Sequence, residues 1–254
     1  MMTNGEECRM RIGGNALNDG VQFRTDNFTS TIKVNKDGTH QITIKETKTK
    51  TSKTVIDVPV IRAIISIFNA NKLLPIVVAL SLGLDIYSVV AEHNAISNAV
   101  TDLVFIIYGV ISLLLLALLI KKTLHKAKET IAFHGAEHKV IYAYHNNYVL
   151  NLENVRKCPR IARRCGTNLI AFLIPLFIIA GFVSPYSGVN LIVTYVIAYE
   201  MFNSRNGDNL PVTKHFFKLG YWCQEKLFTS EPSDEQLIST INALKKLLEK
   251  ETVK

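Results

Sequence analysis

Apolar and polar positions follow two contrasting patterns along this chain. In Phe28–Val34 and Thr39–Lys45 they alternate on either side of Asn35-Lys36-Asp37-Gly38. That period of two predicts a β-hairpin with Gly closing its turn. Elsewhere the apolar residues run together. Leu73–Ala91 and Leu103–Ile120 each approach the ~20 residues needed to cross ~30 Å of hydrocarbon as a helix. Asn168–Ser184 and Val189–Asn203, joined by Pro185-Tyr186-Ser187-Gly188, are shorter. As helices they reach only ~25 Å, so they predict two tight spans or one re-entrant hairpin sheltered by the first pair. Val58–Ala70 is apolar almost all round, with Arg62 its one charge. It predicts an interfacial helix whose arginine snorkels to the headgroups. The last helix is expected to open at Ser233, with Gln236 at the capping-box position and a stripe of Leu237, Ile241, Leu244, Leu247 and Leu248.

Composition narrows the class. Of 254 residues, 48% are apolar and 20% charged, which excludes a largely disordered or low-complexity chain. The expected fold is mainly α, a polytopic membrane protein with four apolar segments, a small cytoplasmic β-hairpin region and amphipathic helices. Its expected organisation is an N-terminal region over 1–54 and an interfacial helix over 55–72. A first membrane helix pair over 73–120 and a cytoplasmic loop over 121–167 follow. A second pair over 168–203 and cytoplasmic C-terminal helices over 204–254 complete it.

Charge supplies an orientation. Residues 1–72 hold eleven Lys and Arg, residues 121–167 ten and residues 204–254 eight, which together account for all 29. Glu92–Asp102 and the Pro185 turn hold none. The positive-inside rule then puts both termini and the central loop in the cytoplasm. Met1–Glu7 has no basic stretch leading into an apolar one, so no cleavable signal peptide is expected. Cys8, Cys158, Cys165 and Cys223 form no CxxC pair, a usage that suits reduced thiols.

The chemistry concentrates in Phe133-His134-Gly135-Ala136-Glu137-His138-Lys139. On a helix His134 and His138 stand at i and i+4 and share a face, with Glu137 beside them. Two neutral imidazoles so spaced are half of a tetrahedral Zn²⁺ site, and the carboxylate is a candidate general base. The order H-x-x-E-H is that of an inverted zincin. The alternative is a solvated turn whose histidines only form hydrogen bonds. Cys165 opens the third apolar segment and Glu200 lies near the end of the fourth, so a helical hairpin returns both to the boundary that carries the histidines. Nitrogen and sulfur donors favour zinc over magnesium. The competing readings are a small buried residue for Cys165 and a snorkelling carboxylate for Glu200.

Arg156, Lys157, Arg160, Arg163 and Arg164 form a basic cluster before the third segment. It reads as an orientation signal and a contact for anionic lipid, or as a docking face for a partner. It lacks the interleaved aromatics of single-strand binding, so no sequence-specific nucleic acid is expected. Asp85 falls inside the first apolar segment, where an acid needs a polar partner such as Tyr108, Ser112 or Thr194, or is protonated. Gly13-Gly14-Asn15-Ala16-Leu17-Asn18-Asp19-Gly20-Val21 lacks the lysine and hydroxyl of a phosphate loop and shows no core-forming pattern. The motif, near Asp19, is expected to close over the histidine site.

These motifs carry a resemblance. The glycine motif, His134–Lys139, Glu153-Asn154-Val155-Arg156, Arg164-Cys165-Gly166-Thr167, Ala198-Tyr199-Glu200 and Thr229–Leu237 resemble signatures of the bacterial YqhQ-like family, from about residue 11 to 248. The resemblance implies an integral protein of the bacterial cell membrane, described as metal-dependent, with no established substrate. The chain departs from that pattern at Ala162, where a histidine is expected three residues before the cysteine, at Asp19 where Glu is expected, at Gln22-Phe23 and at Asn168. Cys158 or His145 is then a candidate replacement ligand, or the site keeps three protein ligands at most.

Two functions follow. In one, His134, His138 and Cys165 or Glu200 hold Zn²⁺ and Glu137 is the base of a hydrolase acting on a lipid or membrane peptide. In the other, a non-catalytic membrane factor docks a ribosome, a translocon or another membrane complex through its basic face, and any metal is structural.

Overall fold

The computed structural model describes residues 10–17, 19–35, 39–47, 73–93, 127–184 and 186–253, with isolated helical positions at Ile61, Ala63, Leu103, Ile106, Ile107 and Val110. Apart from those positions, the interfacial segment and Leu103–Ile120 lie outside the described residues, as do the turn at Lys36–Gly38 and Pro185. The chain forms two compact units, one from Met1–Thr51, Thr123–Ala162 and Tyr221–Lys254, the other from Ser52–Lys122 and Arg163–Gly220.

The first unit contains an antiparallel sheet of β1 (Gly13–Leu17), β2 (Gly20–Arg24), β3 (Phe28–Val34) and β4 (His40–Glu46), paired in that order. The expected hairpin is β3–β4, with Ile32 opposite Ile42. The glycine motif is where expectation fails, because it supplies β1 and β2 of the same sheet. Only Val21 and Phe23 carry its apolar side, too short an alternation to stand out, yet both are fully buried. Asp19 sits in the β1–β2 turn, where its carbonyl accepts the Val34 N–H at 2.7 Å.

The inner sheet face packs on α2 (Ala127–His145) and α7 (Asp234–Thr252), and α3 (Leu152–Arg156) packs against both helices. Phe23, Ile32, Phe133, Val140, Val155 and Leu244 meet in one core. Ser233 opens α7 with both hydrogen bonds of a capping box, and Leu237, Ile241, Leu244 and Leu247 are buried. Ser30 donates to the Ala243 carbonyl at 2.9 Å, fastening β3 to α7.

The second unit contains α1 (Leu73–His93), α4 (Gly166–Val183), α5 (Ser187–Asn203) and most of α6 (Thr213–Cys223). Three of the four expected apolar segments are therefore helices. Among the described residues α4 alone is long and apolar enough to cross a membrane, while Pro75–Val90 of α1 is a shorter apolar stretch. Of the partners expected for Asp85, Tyr108 and Ser112 lie outside the described residues. Asp85 Oδ2 accepts the Gly188 and Val189 N–H groups at 2.9 and 3.1 Å, and Ser187 Oγ donates to Oδ1 at 3.5 Å. Thr194 instead donates to the Asn190 carbonyl. The acid of α1 thus caps α5 across the helix pair, satisfying N–H groups left over at a helix start and meeting the positive end of its dipole. The helices approach closely here, since a Cβ at Gly188 would stand 2.6 Å from Leu82 N.

Candidate metal centre

His134-Gly135-Ala136-Glu137-His138-Lys139 occupies the middle of α2, and each residue meets a different neighbour. His134 Nδ1 is 2.8 Å from the Phe228 carbonyl and His138 Nδ1 is 2.7 Å from the Arg160 carbonyl. A carbonyl has no hydrogen to give, so both Nδ1 atoms carry the proton and neutral rings hold their lone pairs on Nε2. Fixing a ligating histidine through its other nitrogen is how metal sites orient their ligands. The rings lie 4.4 Å apart between centroids, inclined by 65°.

Gly135, unfavourable in a helix by about 1 kcal/mol, has a packing reason. A Cβ there would come within 2.3 Å of the Ser230 carbonyl oxygen. The Phe228–Glu231 stretch runs along α2 at this point, and Ser230 N–H donates to the Ile131 carbonyl at 3.0 Å. Ala136 is buried in the core. Lys139 is buried too, its Nζ 2.6 Å from Glu231 Oε1 and donating to the Arg156 carbonyl at 2.7 Å.

Glu137 is 6% exposed and seated against β1: a Cβ on Gly14 would fall 2.0 Å from its Oε1. Burial pushes its carboxyl up to about 7, against a smaller opposing effect of His134. Its Oε2 lies 3.9 Å from His138 Nε2. A carboxyl balanced near neutrality beside the histidines suits proton transfer.

Cys165, the N-cap of α4, is buried. Within the first unit His134 and His138 each offer Nε2 as a donor to a metal ion from one face of α2, half of a tetrahedral set, while Cys165 belongs to the second unit. Glu200 is half-buried on α5 of the second unit, and among the described residues neither substitute for the histidine missing at Ala162 joins the histidine pair. Cys158 donates to the Asn154 carbonyl, and burial raises its thiol pKa. His145 is exposed at the end of α2, against Tyr144. Ala162 is held through its backbone instead, its N–H and carbonyl both bound by the buried Gln224 side chain at 2.9 and 3.1 Å.

Four members of the basic cluster meet acceptors of this chain. Arg156 pairs with Asp234, Lys157 with Glu153, Arg160 with Glu231 and Arg163 with Asp208. Arg163 also lies 4.9 Å from the Phe217 ring centroid. Arg164 is exposed. Sequence reasoning missed Gly14, Lys139, Gln224 and Glu231. Lys139 and Glu231 stand inside recognisable motifs, but nothing local reveals that they meet.

A family model described as a protein of unknown function (DUF1385) matches residues 15–250. Over 136 residues the chain is 33% identical to the uncharacterized protein YqhQ of Bacillus subtilis (strain 168), a stretch covering 50% of this chain. It spans 42% of that relative's length. No solved structure matches. The family match takes in nearly the whole chain, including His134, Glu137, His138 and Cys165, and this protein belongs to the DUF1385, YqhQ-like family.

Proposed function

We propose that this protein is an integral protein of the bacterial cell membrane, both termini cytoplasmic, with a zinc site at the cytoplasmic surface and hydrolase activity on a lipid or membrane peptide. The observation that carries the site is the pair of imidazoles on one face of α2, each fixed through Nδ1 by a backbone carbonyl. His134, His138 and Cys165 would hold the ion, and three protein ligands suit an open, catalytic coordination. Zinc supplies Lewis-acid polarisation of a carbonyl or phosphoryl group and acidifies water. Glu137 would be the general base, its carboxyl pushed up by burial and kept in place by the Gly14 backbone. Lys139 and Arg160 hold Glu231, which keeps the Phe228–Glu231 stretch along the histidine helix.

The membrane part of the reading is supported by α4, of which only 22% is buried within the protein, unlike the core helix of a globular domain. The test is metal analysis of the purified full-length protein. About one zinc per chain is expected, lost in His134→Ala and His138→Ala and retained in Glu137→Gln. Wild-type protein that takes up no zinc from a zinc-supplemented buffer overturns the site. If cells lacking the native gene are rescued by Glu137→Gln as well as by wild type, the hydrolase gives way to the structural-metal reading of a docking factor.

A further inference from the structure

The α6 helix carries two opposite faces. Thr213, Phe217 and Gly220 are buried, and the buried Gln224 follows on the same side. That side packs on the start of α4: Phe172 stacks on Phe216 and meets Phe217 edge-on, both at 5.0 Å between centroids. A Cβ on Gly220 would fall 2.1 Å from Asn168 Oδ1. The other side presents His215, Leu219 and Trp222 at helical spacing, with Val212 just before the first turn, and all are exposed. Trp222 is 53% exposed, and Leu227 and Phe228 in the π-helical turn Gln224–Phe228 remain exposed as well. Lys214, Lys218 and Lys226 flank the apolar residues. An ordinary amphipathic helix in water turns its apolar stripe inward; here large apolar groups and the chain's one tryptophan face outward.

The position of this face selects its occupant. Asn168 and Phe172 belong to the first two turns of the apolar helix, so α6 is held within about 9 Å of the helix start at 1.5 Å per residue. That is the depth of the headgroups if α4 spans. Tryptophan, leucine and lysine on one exposed helix face are the composition of a segment lying in that layer. We infer that α6 and the turn after it are an interfacial anchor that lays Val212, Leu219, Trp222 and Leu227 into an anionic lipid surface. The inference rests on the membrane reading above.

Because Trp222 is the chain's one tryptophan, its fluorescence reports this face alone. The full-length protein is reconstituted into vesicles of phosphatidylcholine and phosphatidylglycerol carrying bromine at shallow or deep acyl positions. Trp222 should lose most of its emission to shallow bromines, less to deep ones and little to aqueous acrylamide. The combined variant Lys214→Glu and Lys218→Glu should weaken the shallow quenching and restore acrylamide access. A control, Trp222→Phe with Ile178→Trp, moves the reporter into α4. If Ile178→Trp is quenched by deep bromines while Trp222 in the native chain answers only to acrylamide, the anchor is wrong and the membrane reading stands. If neither position answers to brominated lipid, both fail.

Discussion

The two units differ in which large apolar side chains they leave exposed and in how many of their buried positions are small or polar. In the sheet unit Val21, Phe23, Ile32, Leu237 and Leu244 are inside, and Gln22, Thr31 and Lys33 lie on the other side of the strands. In the helical unit the buried positions include Asn168, Asn190, Thr194, Ser81 and Gly188, while Ile86, Ile179, Phe182 and Val183 are exposed. Water drives apolar groups inward, so the first pattern is that of a domain folded in water. In hydrocarbon that drive vanishes, and close packing of small residues with hydrogen bonds between helices takes over. The bond network around Asp85 and Gly188 is of the second kind. The lesson is that one chain carries two packing patterns, and the histidine motif belongs to the sheet unit, on α2.

Truncating one large apolar residue in each unit sharpens this contrast most. Leu244→Ala removes a fully buried side chain of the sheet unit and should cost about 2–5 kcal/mol in denaturant unfolding. Ile179→Ala, exposed on α4, should cost less than about 0.5 kcal/mol in detergent. Equal losses at the two sites would show that α4 belongs to a packed core and sink the contrast.

Next in size is the pH response of Glu137. Its carboxyl holds its proton up to about 7 in the folded chain, against 4.5 ordinarily, so the folded state binds the proton more tightly. Its stabilising contribution is complete below pH 4.5 and is lost as pH rises through 7. In metal-free protein the difference between pH 4.5 and pH 8 should approach about 3 kcal/mol. Glu137→Gln should remove that part of the slope, and a parallel curve for the variant would show that the group titrates normally.

Gly14→Ala comes third, because its methyl meets the Glu137 carboxylate and must displace it. Overpacking of this kind costs about 1–3 kcal/mol. Zinc content measured on the same variant should stay at the wild-type level, since Glu137 is not a proposed ligand; loss of metal would tie β1 directly to the ion. The smallest effect is expected on the surface. Lys157→Ala breaks an exposed i,i+4 pair with Glu153 and should change stability by less than about 0.5 kcal/mol. A larger loss would mean that the basic cluster has a structural role its exposure does not suggest.

Periodicity alone determined the β3–β4 hairpin, the capped α7 with its leucine stripe, and helices near Leu73–Ala91, Asn168–Ser184 and Val189–Asn203. These are local properties: strands and helices repeat every two or 3.6 residues, and a cap is read within four. The spacing of His134 and His138 was equally plain, since i and i+4 share a helix face wherever the helix goes. Everything that joins distant residues was decided by the tertiary structure. The glycine motif became two strands because Val21 and Phe23 found a core supplied by α2 and α7. Glu137 owes its raised carboxyl to burial against residues more than a hundred positions away, Gly14 among them. Asp85 took three N-terminal groups of α5 as partners because helix packing, not composition, sets which polar groups are within reach. Cys158 and His145, in the same unit, did not join the histidine pair, for a ligand set is a matter of a few ångströms and a sequence lists residue types without distances.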